Sequence, residues 1–141
     1  MTNCPKTGTR GKKVDNATIK SMMCESLRQI LDESYYFCDI EDCDIVYFSE
    51  SGSHIIKADS IREAVYQKSP QNPQTKVCYC FQHTVGDIQD AVTNATHDRI
   101  VEDIQLGIQQ GQCACDWRNP QGSCCLGNVR QFIKQIQIKA V

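Results

Sequence analysis

Apolar positions follow two regimes along the chain. Before residue 69 they come in short mixed clusters, and after residue 84 they recur at helical spacing. In the first part, Ile19, Met22, Met23, Leu27, Ile30 and Leu31 predict a helix over 18–31, with a strand at its start as the competing reading. Tyr35-Tyr-Phe37 and Asp44-Ile-Val-Tyr-Phe48 are rich in β-branched and aromatic residues and read as strands. Ser51-Gly52-Ser53 reads as a turn. His54-Ile-Ile56 and the stretch 61–66 are further strand candidates, although Arg62-Glu-Ala64 also tolerates helix.

The second part predicts three helices. Thr84 with Asp87 has the signature of an N-cap answered by an acidic third residue, followed by the stripe Ile88, Ala91, Val92 and Ala95. Thr96 can cap the next helix, whose stripe is Ile100, Val101, Ile104 and Ile108, and Gly111 ends it. Ser123 can cap a third, carrying Val129, Phe132, Ile133 and Ile136. Between the regimes, Ser69-Pro-Gln-Asn-Pro-Gln-Thr75 favours an extended linker, because each proline disfavours helix in the residue before it. The predicted fold class is α+β: a small β-rich half over 1–68, a linker over 69–76, and a helical half over 77–141, built as a helical hairpin plus a C-terminal helix.

Composition adds charge and chemistry to this outline. The 141 residues carry a net charge of -2. That argues against nucleic acid as the main partner, since a phosphate-binding surface needs a basic excess. No apolar run approaches the roughly 20 residues that span a bilayer, so no membrane insertion is expected. Residues 1–14 are polar and lysine-rich, unlike a secretory signal, and a cytoplasmic location is the expectation.

Ten cysteines change the picture most. Cys78 and Cys80 are one residue apart, as are Cys113 and Cys115, and Cys124 and Cys125 are adjacent. Such close pairs suit a shared metal better than long-range disulfides. A [2Fe–2S] cluster needs four thiolates, two per iron. Cys78-Tyr-Cys80 can supply two from one loop, and Cys113-Ala-Cys115 with Cys124-Cys125 offer the others from a loop beyond the predicted hairpin. Cys125 lies just past a predicted N-cap, where partial positive charge favours thiolate. His83 and His97 are the candidate bases for a cysteine nucleophile, but thiols crowded in metal-type sets argue against a catalytic cysteine.

Val77-Cys-Tyr-Cys80 with the hairpin resembles the bacterioferritin-associated-ferredoxin (BFD) type of [2Fe–2S] domain. Adding Cys4-Pro5, Tyr35-Tyr-Phe-Cys38, Cys43-Asp-Ile-Val-Tyr-Phe48, His83-Thr84 and Cys115-x3-Asn119-Pro120-x-Gly122-x-Cys124-Cys125, nearly the whole chain resembles the N-terminal domain of the CopZ family of copper chaperones. The resemblance implies a [2Fe–2S] cluster on Cys78, Cys80, Cys115 and Cys125, with Cys124 the rival to Cys125 and Cys113 a spare thiol. It also implies Zn2+ on Cys4, Cys38 and Cys43, with Cys24, His54, Thr7 or water as the fourth ligand. Thr7 stands where the family's Cys-x-x-Cys knuckle has its second cysteine. The family's Met-x-Cys-x-x-Cys copper loop has no counterpart here. The implied function is a one-electron redox module linked to copper handling, either reducing Cu(II) to Cu(I) or delivering copper to a separate chaperone. The implied partners are copper ions and a copper chaperone or redox protein. The alternatives are a non-catalytic interaction protein held together by its metals, and an accessory role in iron–sulfur or iron homeostasis.

Overall fold

The computed structural model describes residues 2–139; residue 1 and residues 140–141, the outer ends of the two halves, lie outside the described residues. The chain folds as an antiparallel sheet with a short helix, followed by four helices and a two-stranded ribbon, an α+β arrangement. The sheet has strand order β1 (Lys12–Val14), β2 (Tyr35–Phe37), β3 (Ile45–Ser49) and β4 (Ile55–Lys57). β2 and β3 pair with Tyr36 opposite Phe48 and Phe37 opposite Tyr47, and aromatic cross-strand pairs of this kind favour one register. Every residue of β3 is buried. Phe48 and Ile45 pack on a cluster with Cys4, Cys38 and Cys43, while Val46 and Tyr47 join a second core with Ile19, Met22, Tyr35 and Ile56. The central strand therefore serves two apolar faces, as its unbroken apolar run suggests.

The first predicted helix is shorter than expected. α1 spans Asn16–Met22 and buries Thr18, Ile19 and Met22. It stops because the next residues turn to pair elsewhere: Met23 bridges Ile61, and the Cys24 N–H donates to the Ser60 carbonyl at 2.7 Å. Leu27, placed on the predicted apolar stripe, is exposed. Beyond that bridge at Ile61, the stretch 61–66 forms neither a named strand nor a helix.

The segment over 69–75 folds into turns and does not run extended. Thr75 is buried, and the Thr75 and Pro73 carbonyls accept from the Val85 and Gly86 N–H groups. Those two donors belong to the first turn of a helix and have no partner inside it. The segment thus completes the start of α2 (Val85–Thr93), whose capping box of Thr84 and Asp87 forms as the sequence predicts. α3 (His97–Gln109) and α5 (Leu126–Lys139) pack with α2 around Ile88, Ile100, Ile104, Val129 and Ile133. Gly111 ends the hairpin at φ +69°, a backbone region that favours glycine. The ribbon β5 (Lys76–Cys78) with β6 (His83–Thr84) and the single-turn α4 (Cys115–Arg118) hold the cysteine-bearing loops. The third helix starts later than its predicted cap. It begins at Leu126, directly after Cys125, and the Leu126 N–H meets Cys124 Sγ at 3.5 Å where a Ser123 cap was expected.

Candidate metal centres

All ten cysteines are free thiols. Seven of them gather into two sets built on different principles.

The first set is Cys4, Cys38 and Cys43, all buried, with their three sulfurs within 4.8 Å of one another. Cys38 follows the end of β2 and Cys43 precedes β3, so the β2–β3 connection folds two thiols together. Cys4 comes from an N-terminal turn closed by Cys4 N–H to the Thr9 carbonyl and Gly8 N–H to the Cys4 carbonyl, both at 2.8 Å. Cys4 and Cys43 sulfurs are 3.9 Å apart. Tetrahedral thiolates on one zinc ion stand about 3.8 Å apart, so the spacing fits a single ion. Burial opposes ionisation of Cys4, but hydrogen bonds from the Thr7 hydroxyl and from the Thr7 and Lys6 N–H groups outweigh it and bring the thiol down to about 7. Burial raises Cys38, against the pull of the Lys68 ammonium, whose Nζ lies 3.6 Å from Cys38 Sγ and 2.6 Å from the Ile40 carbonyl.

The structure does not bring Cys24 to this set. That thiol is exposed beyond α1. His54 stands elsewhere too, its Nδ1 2.7 Å from the Tyr35 hydroxyl and its Nε2 3.6 Å from Glu25. Thr7 is the one fourth-ligand candidate that touches a thiol of the set, and its hydroxyl also accepts from the Thr9 N–H at 3.2 Å.

The second set is Cys78, Cys80, Cys115 and Cys125. Cys78 and Cys80 flank the buried Tyr79 in the ribbon loop; Cys115 opens α4; Cys125 immediately precedes α5. Cys80 and Cys115 sulfurs are 3.5 Å apart, and the Cys125 thiol neighbours both Cys78 and Cys115. The contacts run as an open series, 78 to 125 to 115 to 80. Among the described residues, no three of these four sulfurs lie all within 4.8 Å of one another, which is how they differ from the first set.

Their proton affinities alternate along the series. The contact with Cys125 lowers Cys78, and it brings Cys115 down to about 6. Burial pushes Cys80 up to about 12, although the Ala114 N–H donates to its sulfur at 3.2 Å. Cys125 is pushed far up by its Cys115 and Cys78 neighbours. Opposite shifts on neighbouring thiols are the mark of sulfurs close enough to couple their ionisation. Cys113 and Cys124 are exposed and outside the series. Sequence reasoning missed Lys68 and the Ala114 N–H. A lysine many residues downstream carries no local signal, and a backbone donor carries none at all.

Fold and thiol geometry together define a thiol-rich α+β metal-binding protein, its compact buried thiol triplet suited to one ion. Residues 1–62 match the family described as zf_CopZ, zinc binding domain. The copper chaperone CopZ of Archaeoglobus fulgidus is 28% identical over 149 aligned positions, covering 99% of this chain and 70% of that protein. The X-ray structure of the N-terminal domain of Archaeoglobus fulgidus CopZ superposes with a TM-score of 0.76 at 27% identity, covering 92% of this chain and 95% of that one. The first 62 residues are thus similar to zinc-binding domains of the CopZ type, and nearly the whole chain is similar to the CopZ N-terminal domain.

Proposed function

We propose that the chain is a one-electron redox module, with a [2Fe–2S] cluster held by Cys78, Cys80, Cys115 and Cys125 and a zinc ion held by Cys4, Cys38 and Cys43. The observation that carries this reading is the contrast in sulfur spacing. The triplet is compact enough for one ion, whereas the four-thiol series is too drawn out for one and suits two bridged metals. The zinc half is the structural partner, since a buried ion tying the N-terminal turn to the β2–β3 connection adds cohesion that a half-chain this small lacks.

When bound, the cluster supplies a one-electron couple whose potential depends on burial and hydrogen bonds to sulfur. The residues of this chain set those conditions. Cys78 and Cys125 are buried, Cys80 and Cys115 are partly exposed, and the Ala114 N–H donates to Cys80. The exposed side is the side from which an electron enters or leaves, because tunnelling distance is shortest there. Trp117, half exposed, lies two residues after Cys115 on α4. The relative's name supports copper as the electron's destination: Cu(II) takes one electron to become Cu(I), and a reducing partner protein restores the electron. Delivery of the copper then falls to a separate soft-ligand chaperone.

Anaerobic titration tests the reading. Dithionite-reduced protein is expected to be reoxidised by one equivalent of Cu(II), with its visible bands returning. Bands that stay bleached rule out copper reduction, and a cluster that disintegrates on reduction points to a structural role for the metals.

A further inference from the structure

We propose that Thr18, Ser21 and Tyr47 of the first half are positioning residues that fix the loop presenting Cys115 and Cys125. This rests on the assignment of those two thiols as cluster ligands. Eleven residues, 115–125, join the two cysteines, and their regular structure is the single turn of α4. A helix of four residues does not hold itself together in water. Its backbone is held from outside. Thr18 Oγ1 donates to the Asp116 carbonyl at 2.7 Å, Ser21 Oγ to the Trp117 carbonyl at 2.5 Å, and the Tyr47 hydroxyl to the Pro120 carbonyl. All three donors come from α1 or β3, and all three acceptors lie between the two ligands.

The hold is close and aimed. Thr18 and Tyr47 have no solvent exposure. Burial raises the Tyr47 phenol, so it remains a protonated donor at any physiological pH. Arg62 fixes Ser21, its Nη2 3.1 Å from Ser21 Oγ and its Nε 3.0 Å from the Ser21 carbonyl. Gly122, at φ +73°, lets the loop lie against α1: a Cβ there would sit 3.0 Å from Thr18 Oγ1 and 3.3 Å from Val14 Cγ1. β3 joins the two thiol sets physically, because it starts two residues after Cys43 and carries Tyr47.

The test uses Tyr47→Phe and Thr18→Val in the full chain, each deleting one hydroxyl with little change of shape. Two rates are read: iron release to a chelator from the purified protein, and alkylation of Cys125 in metal-stripped protein by mass spectrometry. Alkylation of Cys38 and zinc content are the controls. One lost hydrogen bond to a loop carbonyl, buried at Pro120 and part-buried at Asp116, predicts about a fivefold rise in both rates for each variant. Cys38 alkylation and zinc content are expected to stay at wild-type values. Unchanged Cys125 alkylation in both variants overturns the proposal, and so does a parallel rise at Cys38, which would mean general loosening. Wild-type protein without iron would instead defeat the cluster assignment, while the alkylation comparison would still decide whether the hydroxyls hold the loop.

Discussion

The two thiol sets differ in how the chain brings them together. The first is local in architecture: one strand connection supplies Cys38 and Cys43, and a six-residue turn supplies Cys4. The second spans 47 positions, from Cys78 to Cys125, and depends on a helical hairpin, a single-turn helix and a helix start. The compact set has the spacing of one ion and gets its electrostatic help from Thr7 and Lys68. In the drawn-out set the strongest influence on each of Cys78, Cys115 and Cys125 is another thiol of the set. Close packing of three sulfurs suits a single cation, whereas the series of four has no such compact triplet.

Ligand substitutions split this comparison most sharply. Cys125→Ser is expected to abolish iron binding while leaving one zinc per chain. Cys43→Ser is expected to do the reverse, weakening zinc by more than the ~100-fold that outer-shell changes reach. Elemental analysis of both variants checks the pair, and loss of both metals from either one would erase the distinction between the sites.

A smaller effect is expected at Gly107 on α3. A Cβ there would fall 2.1 Å from Cζ of Phe81, the residue after Cys80. Gly107→Ala is expected to push Phe81 and its loop outward at a cost of about 1–3 kcal/mol, partly offset by alanine's better helix propensity. Thermal melting should show the loss, and cluster release should accelerate while zinc release does not.

Thr7→Val sharpens the other side. Without the hydroxyl donor, the Cys4 pKa rises from about 7 toward the ordinary thiol value near 9.0. Zinc competes with the Cys4 proton, so the advantage of the lower pKa is largest below about 7 and disappears as pH rises past the ordinary value. Competition with a chromophoric chelator at pH 7.5 should show about tenfold weaker zinc binding, a gap that narrows once pH exceeds 9. An undiminished gap at high pH would mean that Thr7 acts by direct ligation. The smallest effect is expected from Lys68→Met, which removes a charge 3.6 Å from Cys38: zinc release should quicken about threefold, and less so in high salt.

Much of this was legible in the sequence. The Thr84–Asp87 capping box and the strands around Tyr36 and Tyr47 follow from short-range patterns, while the choice of Cys115 and Cys125 among the close pairs came from the family resemblance. What escaped was long-range. α1 ends early because Met23 and Cys24 pair with residues near 60, a competition that periodicity cannot register. The 69–75 segment reads as a linker by composition, but its carbonyls complete the α2 start. Cys24 sits among helical apolar positions and was a natural fourth-ligand candidate, but the shortened helix leaves it exposed. The contacts of Thr18, Ser21 and Tyr47 with 116–120 join residues too far apart in the chain for any motif to record.

The central claim is that the two sets hold different metals. Iron, zinc and acid-labile sulfide per chain, measured on protein purified under nitrogen from iron-replete cells, test it most directly. The account predicts two irons, two sulfides and one zinc, with visible absorption that Cys125→Ser eliminates. A colourless protein carrying zinc in both sets and no sulfide would contradict it.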